Sequence, residues 1–151
     1  DQWQGEYPNE QVFLADMARG ECFAVTHGGE VAAVFVLSTL EQENYAKITD
    51  GKWTADMPYC VLHRSAVSAK YRGSGMSEFM MKCVERQAAE GFGLRCIRVD
   101  THRKNKAMQR LLRESGYRYR GNVLIDDAGH DPARQAYEKI LKIKNIAGGC
   151  K

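Results

Sequence analysis

Apolar positions along this chain change period several times, and each change predicts an element. Asn9 precedes Val12, Phe13 and Met17, and Gly20 follows them, which predicts a short capped helix over 9–19. Residues 21–26 and 31–38 are apolar runs around His27-Gly28-Gly29, a good turn, and read as a hairpin pair of strands. From Glu41 to Pro58 the chain is polar, with only Tyr45, Trp53 and Met57 standing apart. A long loop with a helical turn is expected there, and loops of that length carry function or move. Tyr59 to Ser68 reads as the next strand. Met76, Phe79, Met80, Cys83 and Val84 then recur at helical spacing, and the helix runs to about Glu90 before Gly91 stops it. Ile97 to Thr101 is a short strand. Asn105 to Ser115 is a second long helix, with Met108, Leu111 and Leu112 as its apolar side and Gly116 at its end. Tyr117 to Ile125 and about Arg134 to Leu141 are further strands, joined by the polar turn Asp126 to Pro132; residues 142–151 read as a loose tail. The order is helix, three strands, helix, strand, helix, two strands. That predicts a mixed α/β layer with helices on both sides of one sheet, in a single domain spanning 1–151.

Composition narrows the class. The 151 residues are 44% hydrophobic and 27% charged, ordinary for a globular protein, and no apolar run is long enough to span a bilayer. The chain begins at Asp1 rather than Met, without a signal-like segment, so residues before it are expected to have been lost. Five cysteines (Cys22, Cys60, Cys83, Cys96 and Cys150) are scattered, with no C-x-x-C pair. That spacing argues against a disulfide framework or a metal site and favours a reducing cytoplasm. The net charge of +3 hides an asymmetry: residues 95–120 hold nine Lys/Arg against Asp100 and Glu114, a local +7 that leaves −4 for the remainder. Such a field suits a phosphorylated ligand or nucleic acid. Nucleic acid is disfavoured, because no recognised motif is present and no aromatics interleave with these charges.

The richest chemistry lies in Lys70-Tyr71-Arg72-Gly73-Ser74-Gly75-Met76-Ser77, where a strand turns into a helix. Two glycines let the backbone approach a ligand closely, and the helix start offers oriented N–H groups and a positive dipole end. This is a phosphate-binding arrangement. A P-loop requires a glycine-lysine pair that is absent here. A dinucleotide fingerprint requires a third glycine where Glu78 stands.

Ala66-Val67-Ser68 followed by Arg72-Gly73-Ser74-Gly75-Met76-Ser77 and a helix resembles the acetyl-CoA signature of the GNAT N-acetyltransferase family, Gln/Arg-x-x-Gly-x-Gly/Ala, on Arg72, Gly75 and Ser77. Serine departs from the last position, yet it is small and keeps its amide. Downstream, Asn105-Lys106-Ala107 through Ser115-Gly116-Tyr117 looks like the family's Asn-x-x-Ala…Tyr…Gly-Phe segment, with Asn and Gly in register, Ala107 one place early and Tyr117 for the usual Phe. The resemblance covers roughly Glu21 to Leu141. The family's first strand and helix would precede residue 9 and have no counterpart, which implies either a trimmed chain or a fold incomplete at that edge.

The resemblance implies a mostly antiparallel mixed sheet, splayed in the middle, that holds acetyl-CoA between the strands at 59–68 and 97–101. The pantetheine would run along Ala66, Val67 and Ser68. The pyrophosphate would sit on amides from Arg72, Gly73, Ser74, Gly75, Met76 and Ser77. Asn105, a helix cap by position, would also contact the cosubstrate. The reaction implied is direct attack of a primary amine of a small molecule, amino acid or peptide N-terminus on the thioester, without metal. The alternative is a non-catalytic acyl-CoA sensor, and a homodimer is compatible with the family.

Regular alternation would set Tyr59, Val61, His63, Ser65 and Val67 on one strand face, with His63 on the cofactor side. His63 is then the candidate base, similar in placement to histidines of arylalkylamine N-acetyltransferases; a packing histidine bonded to backbone is the competing reading. The family's tyrosine acid falls on Leu112, which leaves the proton donor open. His102 could line the cleft or face solvent, and Asp100 could balance Arg98 or Arg103. Trp3, Tyr7, Tyr45, Trp53, Asp56, Asp126 and Asp127 are candidates for amine recognition.

Overall fold

The computed structural model describes residues 8–54, 56–125 and 131–142. Its elements are α1 (Glu10–Ala18), β1 (Cys22–His27), β2 (Glu30–Ser38), β3 (Tyr59–Val67), α2 (Met76–Arg86), β4 (Cys96–His102), α3 (Lys106–Glu114), β5 (Arg118–Leu124) and β6 (Ala133–Ile140). A 3-10 turn spans Glu43–Lys47, and α2 runs on into a π turn over Gln87–Gly91. The expected order of elements is therefore present. Trp3, Tyr7, Asp126, Asp127 and the tail from residue 143 lie outside the described residues. No helix among the described residues is long and apolar enough to cross a membrane.

The six strands form one sheet in the order β1-β2-β3-β4-β6-β5. Every neighbouring pair is antiparallel except β3 with β4. Alternation sorts the buried side chains onto two faces. Val25, Phe35, Leu37, Cys60, Leu62, Ile97 and Val99 face α2 and α3, which contribute Met80, Met81, Val84 and Leu112. On the opposite face Val61, Val123 and Ala136 pack under Tyr45, Ile48 and Trp53 of the 41–54 segment. The stretch that reads as a polar loop is thus a lid over half the sheet.

Two helix faces differ from the apolar spacing. Phe79 is 52% exposed, and Met81 is buried in its stead, because α2 turns Met80, Met81 and Val84 to the sheet. In α1, Met17 is 60% exposed while Asp16 is 1% exposed. This helix is anchored by charge rather than by an apolar stripe. Asp16 accepts from Arg64 Nε and Nη2 at 2.9 and 2.7 Å and from Arg19 Nη2 at 2.6 Å. Asn9 caps it as expected, its Oδ1 accepting from Val12 N at 3.1 Å.

The 41–54 lid is held by a buried ion cluster. Arg98 lies 4.0 Å from the Tyr59 ring centroid and 4.3 Å from that of Trp53. Its Nε donates to Glu138 at 3.2 Å, and Glu138 also accepts from Thr54 N at 3.0 Å and pairs with Arg120 at 3.3 Å. Burial works against the Glu138 charge, but the Thr54 and Arg98 bonds outweigh it and hold the carboxyl below the ordinary glutamate range. Glu138→Ala would remove the carboxylate shared by two arginines and the bond that holds Thr54 of the lid. A loss of about 3–5 kcal/mol is expected, the usual cost of breaking a buried pair from one side; equilibrium urea unfolding reads it, and a loss under 1 kcal/mol would count against this anchor.

Candidate active site

The site originates where β3 and β4 part. They pair in parallel at Tyr59↔Cys96, Cys60↔Ile97 and Val61↔Arg98, and then no further. Beyond that point β3 continues on β2 and β4 on β6. Two strands that separate mid-sheet leave backbone and side chains of both exposed to the gap. A cleft of about 1360 Å³ opens there, lined by Leu62, His63, Ser65, Val99 and Asp100, with Asn105 and Met108 of α3 closing one side. Leu62 and Val99 belong to the face covered by α2 and α3, so the cleft passes through the sheet.

The glycine loop lies at the end of β3. Gly73 and Gly75 have φ of +72° and +83°, in the left-handed region that disfavours side chains. A Cβ at either would meet nothing within 4 Å, so the surface above both glycines is open. The first bond of α2 runs from Phe79 N to Gly75 O at 3.0 Å. Ahead of it, the amides of Gly75, Met76, Ser77 and Glu78 make no bond to another main-chain group among the described residues. Donors, open space and a helix N-terminus coincide, which fits a pyrophosphate. The loop is braced from below: Lys70 Nζ pairs with Glu30 at 2.5 Å and Tyr71 O–H donates to Glu30 at 3.2 Å, tying it to the β1–β2 hairpin. Arg72 is exposed. Asn105 caps α3, its Oδ1 accepting from Met108 N at 3.1 Å, and lines the cleft as well.

The face predicted for Val67 requires a correction. Val36 pairs with His63 and Val34 with Ala66, so β3 carries one extra residue between these pairs. This β-bulge breaks the alternation. Tyr59, Val61 and His63 do share a face, but Val67 falls on the other, where it packs against the main core. The bulge turns His63, Arg64 and Ser65 together into the cleft wall. Desolvation, aided by the Arg64 charge, lowers His63 from 6.5 to about 4. The imidazole is therefore neutral near pH 7.

Asp100 balances neither Arg98 nor Arg103, which pair with Glu138 and Asp131. It accepts instead from Tyr45 O–H at 2.7 Å. Burial raises its pKa, against the lowering effect of Tyr45 and Arg134. His102 is held outside the cleft, accepting from Lys104 N at 3.1 Å and lying 3.6 Å from Asp131. Leu112 is fully buried in the core, so α3 offers no hydroxyl there. Tyr45 and Trp53 do not line the cleft; from their segment Gln42, Glu43, Asn44 and Lys47 do, and Asp56 is exposed away from it. Spacing gave no sign of this role for the four, because nothing local distinguishes them from a solvated loop.

The glycine loop, the capping Asn105 and the parted strands define an acyl-CoA fold. Residues 1–117 match the model of the Acetyltransferase (GNAT) family, and the chain belongs to that family. It is an acetyl-CoA-dependent acetyltransferase. An acetyltransferase of the GNAT family from Streptococcus agalactiae is 34% identical, with a TM-score of 0.82, over 95% of this chain and 79% of that one. Two more distant structures share the fold. One is a GNAT family acetyltransferase from Elizabethkingia anophelis with acetyl-CoA bound, at 14% identity and TM-score 0.66, over 89% of this chain and 85% of that one. The other is the ribosomal-protein-S18-alanine N-acetyltransferase from Escherichia coli, at 14% and 0.64, over 94% and 83%. Among curated proteins none matches significantly.

The lowered His63 pKa carries a stability consequence. As pH falls from 6.5 towards 4, the unfolded chain takes up a proton that the folded chain refuses, so stability drops across that window. The total is about 3 kcal/mol for a shift of this size. His63→Gln is expected to flatten that part of the pH–stability curve, and NMR titration of the wild-type ring should give a midpoint near 4; a midpoint near 6.5 would contradict the assignment.

Proposed function

We propose that this protein transfers the acetyl group of acetyl-CoA to a primary amine, on a small molecule, an amino acid or a peptide N-terminus. The observation that carries this reading is the cleft through the sheet, with His63 and Asp100 on its walls, together with the glycine loop that follows β3. The thioester would enter along Ala66, Val67 and Ser68, where the β4-facing edge of β3 has no strand partner among the described residues. Amides of the 72–77 loop would hold the pyrophosphate, each bond to the charged group contributing roughly 1.5–3 kcal/mol.

An alkyl amine arrives mostly as an ammonium at neutral pH. Asp100 attracts it, and the fraction that has lost its proton attacks the carbonyl carbon. The new C–N bond forms as the carbonyl π electrons move to oxygen, where a backbone N–H near Val67 stabilises the charge. The attacking nitrogen is then far more acidic than the free ammonium, so a weak base suffices, and neutral His63 takes its proton. The C–S bond breaks as the oxyanion collapses, and the thiolate leaves to be protonated by water, since Leu112 cannot serve. The E. coli alanine N-acetyltransferase of the same fold supports a peptide N-terminus as one acceptor class.

Saturating acetyl-CoA is expected to raise Tm, because a ligand bound only by the folded state must stabilise it. Gly75→Val should abolish most of that rise by filling the space above the loop. A panel of amines with thiol release as readout separates the readings: release with some amine supports the transferase, and binding without release on any amine supports a sensor. His63→Ala should lower kcat by about 10²-fold or more. Retention of wild-type turnover and pH profile would remove His63 from the mechanism.

A further inference from the structure

Tyr45 is the most deeply buried aromatic ring outside the main core, 1% exposed, yet it belongs to a one-turn 3-10 segment in a polar stretch. A buried phenol needs a partner for its O–H. The partner is Asp100, 55 residues away, whose carboxylate lines the cleft. The rest of the lid fixes the position of that hydroxyl. Trp53 Nε1–H donates to the Tyr45 carbonyl at 2.8 Å, and the two rings lie 5.2 Å apart. Trp53 is in turn held over Arg98, and Thr54 is bonded to Glu138. Thr49 and Asn122 exchange main-chain bonds of 2.8 Å, which pins the far end of the segment to β5. The lid is rigidly tied at each of these points, and Tyr45 carries its one bond into the cleft wall.

We infer that Tyr45 is a positioning residue for acetyl transfer: its hydroxyl fixes one oxygen of Asp100 so that the carboxylate is held towards the incoming amine. The inference rests on the proposed transfer to an amine and on Asp100 as its electrostatic anchor. Phenylalanine would fill the same space in the lid, so packing alone does not call for the hydroxyl. The hydroxyl is also a dependable donor. Burial first, then the neighbouring Asp100 charge, pushes its pKa well above the usual tyrosine value, so it is protonated near neutral pH. The charged and titratable groups around the pair are Arg134 from β6, His63 from β3 across the cleft, and Tyr59 and Arg98 on the far side of the Tyr45 ring. Among them, Tyr45 and Arg134 favour the charged form of Asp100 against the effect of its burial.

The test is Tyr45→Phe in the full chain, with acetyl-CoA and the best amine from the panel. A fall in kcat of about tenfold is expected, with KM for acetyl-CoA within twofold, as for loss of one bond to a charged group. The acid limb of kcat/KM should also move to higher pH, because Asp100 loses a donor that favours its ionised form. Replacing Tyr45 by 3-fluorotyrosine, a stronger donor of nearly the same size, should move that limb the other way, and provides the test if Tyr45→Phe does not fold. Unchanged kcat and pH profiles in both variants would overturn the inference even if Tm fell, since that result is packing alone. Wild-type protein that transfers acetyl to no amine would overturn the proposed function, and this inference with it.

Discussion

Everything that suggests chemistry in this fold follows from two parallel strands that pair for three residues and then separate. A sheet interior is normally closed by its own hydrogen bonds and side chains. Here β3 stays with β2 and β4 stays with β6, so the gap between them is built in rather than opened by a ligand. The unpaired main chain at the gap must find other partners, since buried backbone groups left unmet are costly. In the proposed reaction a strand-like ligand arm would answer that need on one side. The same gap brings residues of both sheet faces into one cleft, which a closed sheet would keep apart.

The faces divide the work. Beside α2 and α3 lie the glycine loop, Asn105 and an apolar floor of Leu62, Val99 and Met108. On the other face lie His63, Asp100 and a lid fastened by the Arg98–Glu138–Arg120 cluster. Buried ion clusters are weak sources of net stability but strict about geometry. That suits a lid whose task is to keep Tyr45 in one place. Only part of the +7 of residues 95–120 is met in this way: Arg98 and Arg120 share Glu138 and Arg103 pairs with Asp131, while the Arg110–Glu114 pair lies within the segment.

How much of this could be read from the residues depends on range. Helix caps at Asn9 and Asn105, the hairpin at Gly28-Gly29 and the loop at Gly73 and Gly75 were legible, because each is set by a few adjacent residues. The order of elements was legible for the same reason. The bulge between His63 and Ala66 was not, since it exists only as a mismatch of register against β2. It reversed the face of Val67 while leaving His63 at the cleft. Asp16 hid inside a helix read as apolar because its partner, Arg64, stands 48 residues away. Tyr45 and Trp53 were singled out as rare aromatics in a polar stretch. Their destination, under a lid and against Asp100 rather than in the cleft, depends on pairings that span the chain.

Burial drives the two cleft groups in opposite directions on the pH scale. It lowers the imidazole to about 4 and raises the carboxyl above its ordinary value, against the opposing pull of Tyr45 and Arg134. At pH 7 the imidazole is a neutral base, while Tyr45 and Arg134 favour the anion of the carboxyl. The division matches the order of events in the proposed reaction. An ammonium must first be drawn in, which needs charge. A proton must later be taken from nitrogen already bonded to carbon, which needs only a weak, uncharged acceptor. A histidine with an ordinary pKa would spend part of its time as a cation beside the incoming ammonium and repel it. The low pKa of His63 thus costs base strength and keeps the imidazole itself from adding positive charge to the cleft. With Leu112 sealed in the core, α3 supplies no hydroxyl at that position for the departing thiolate.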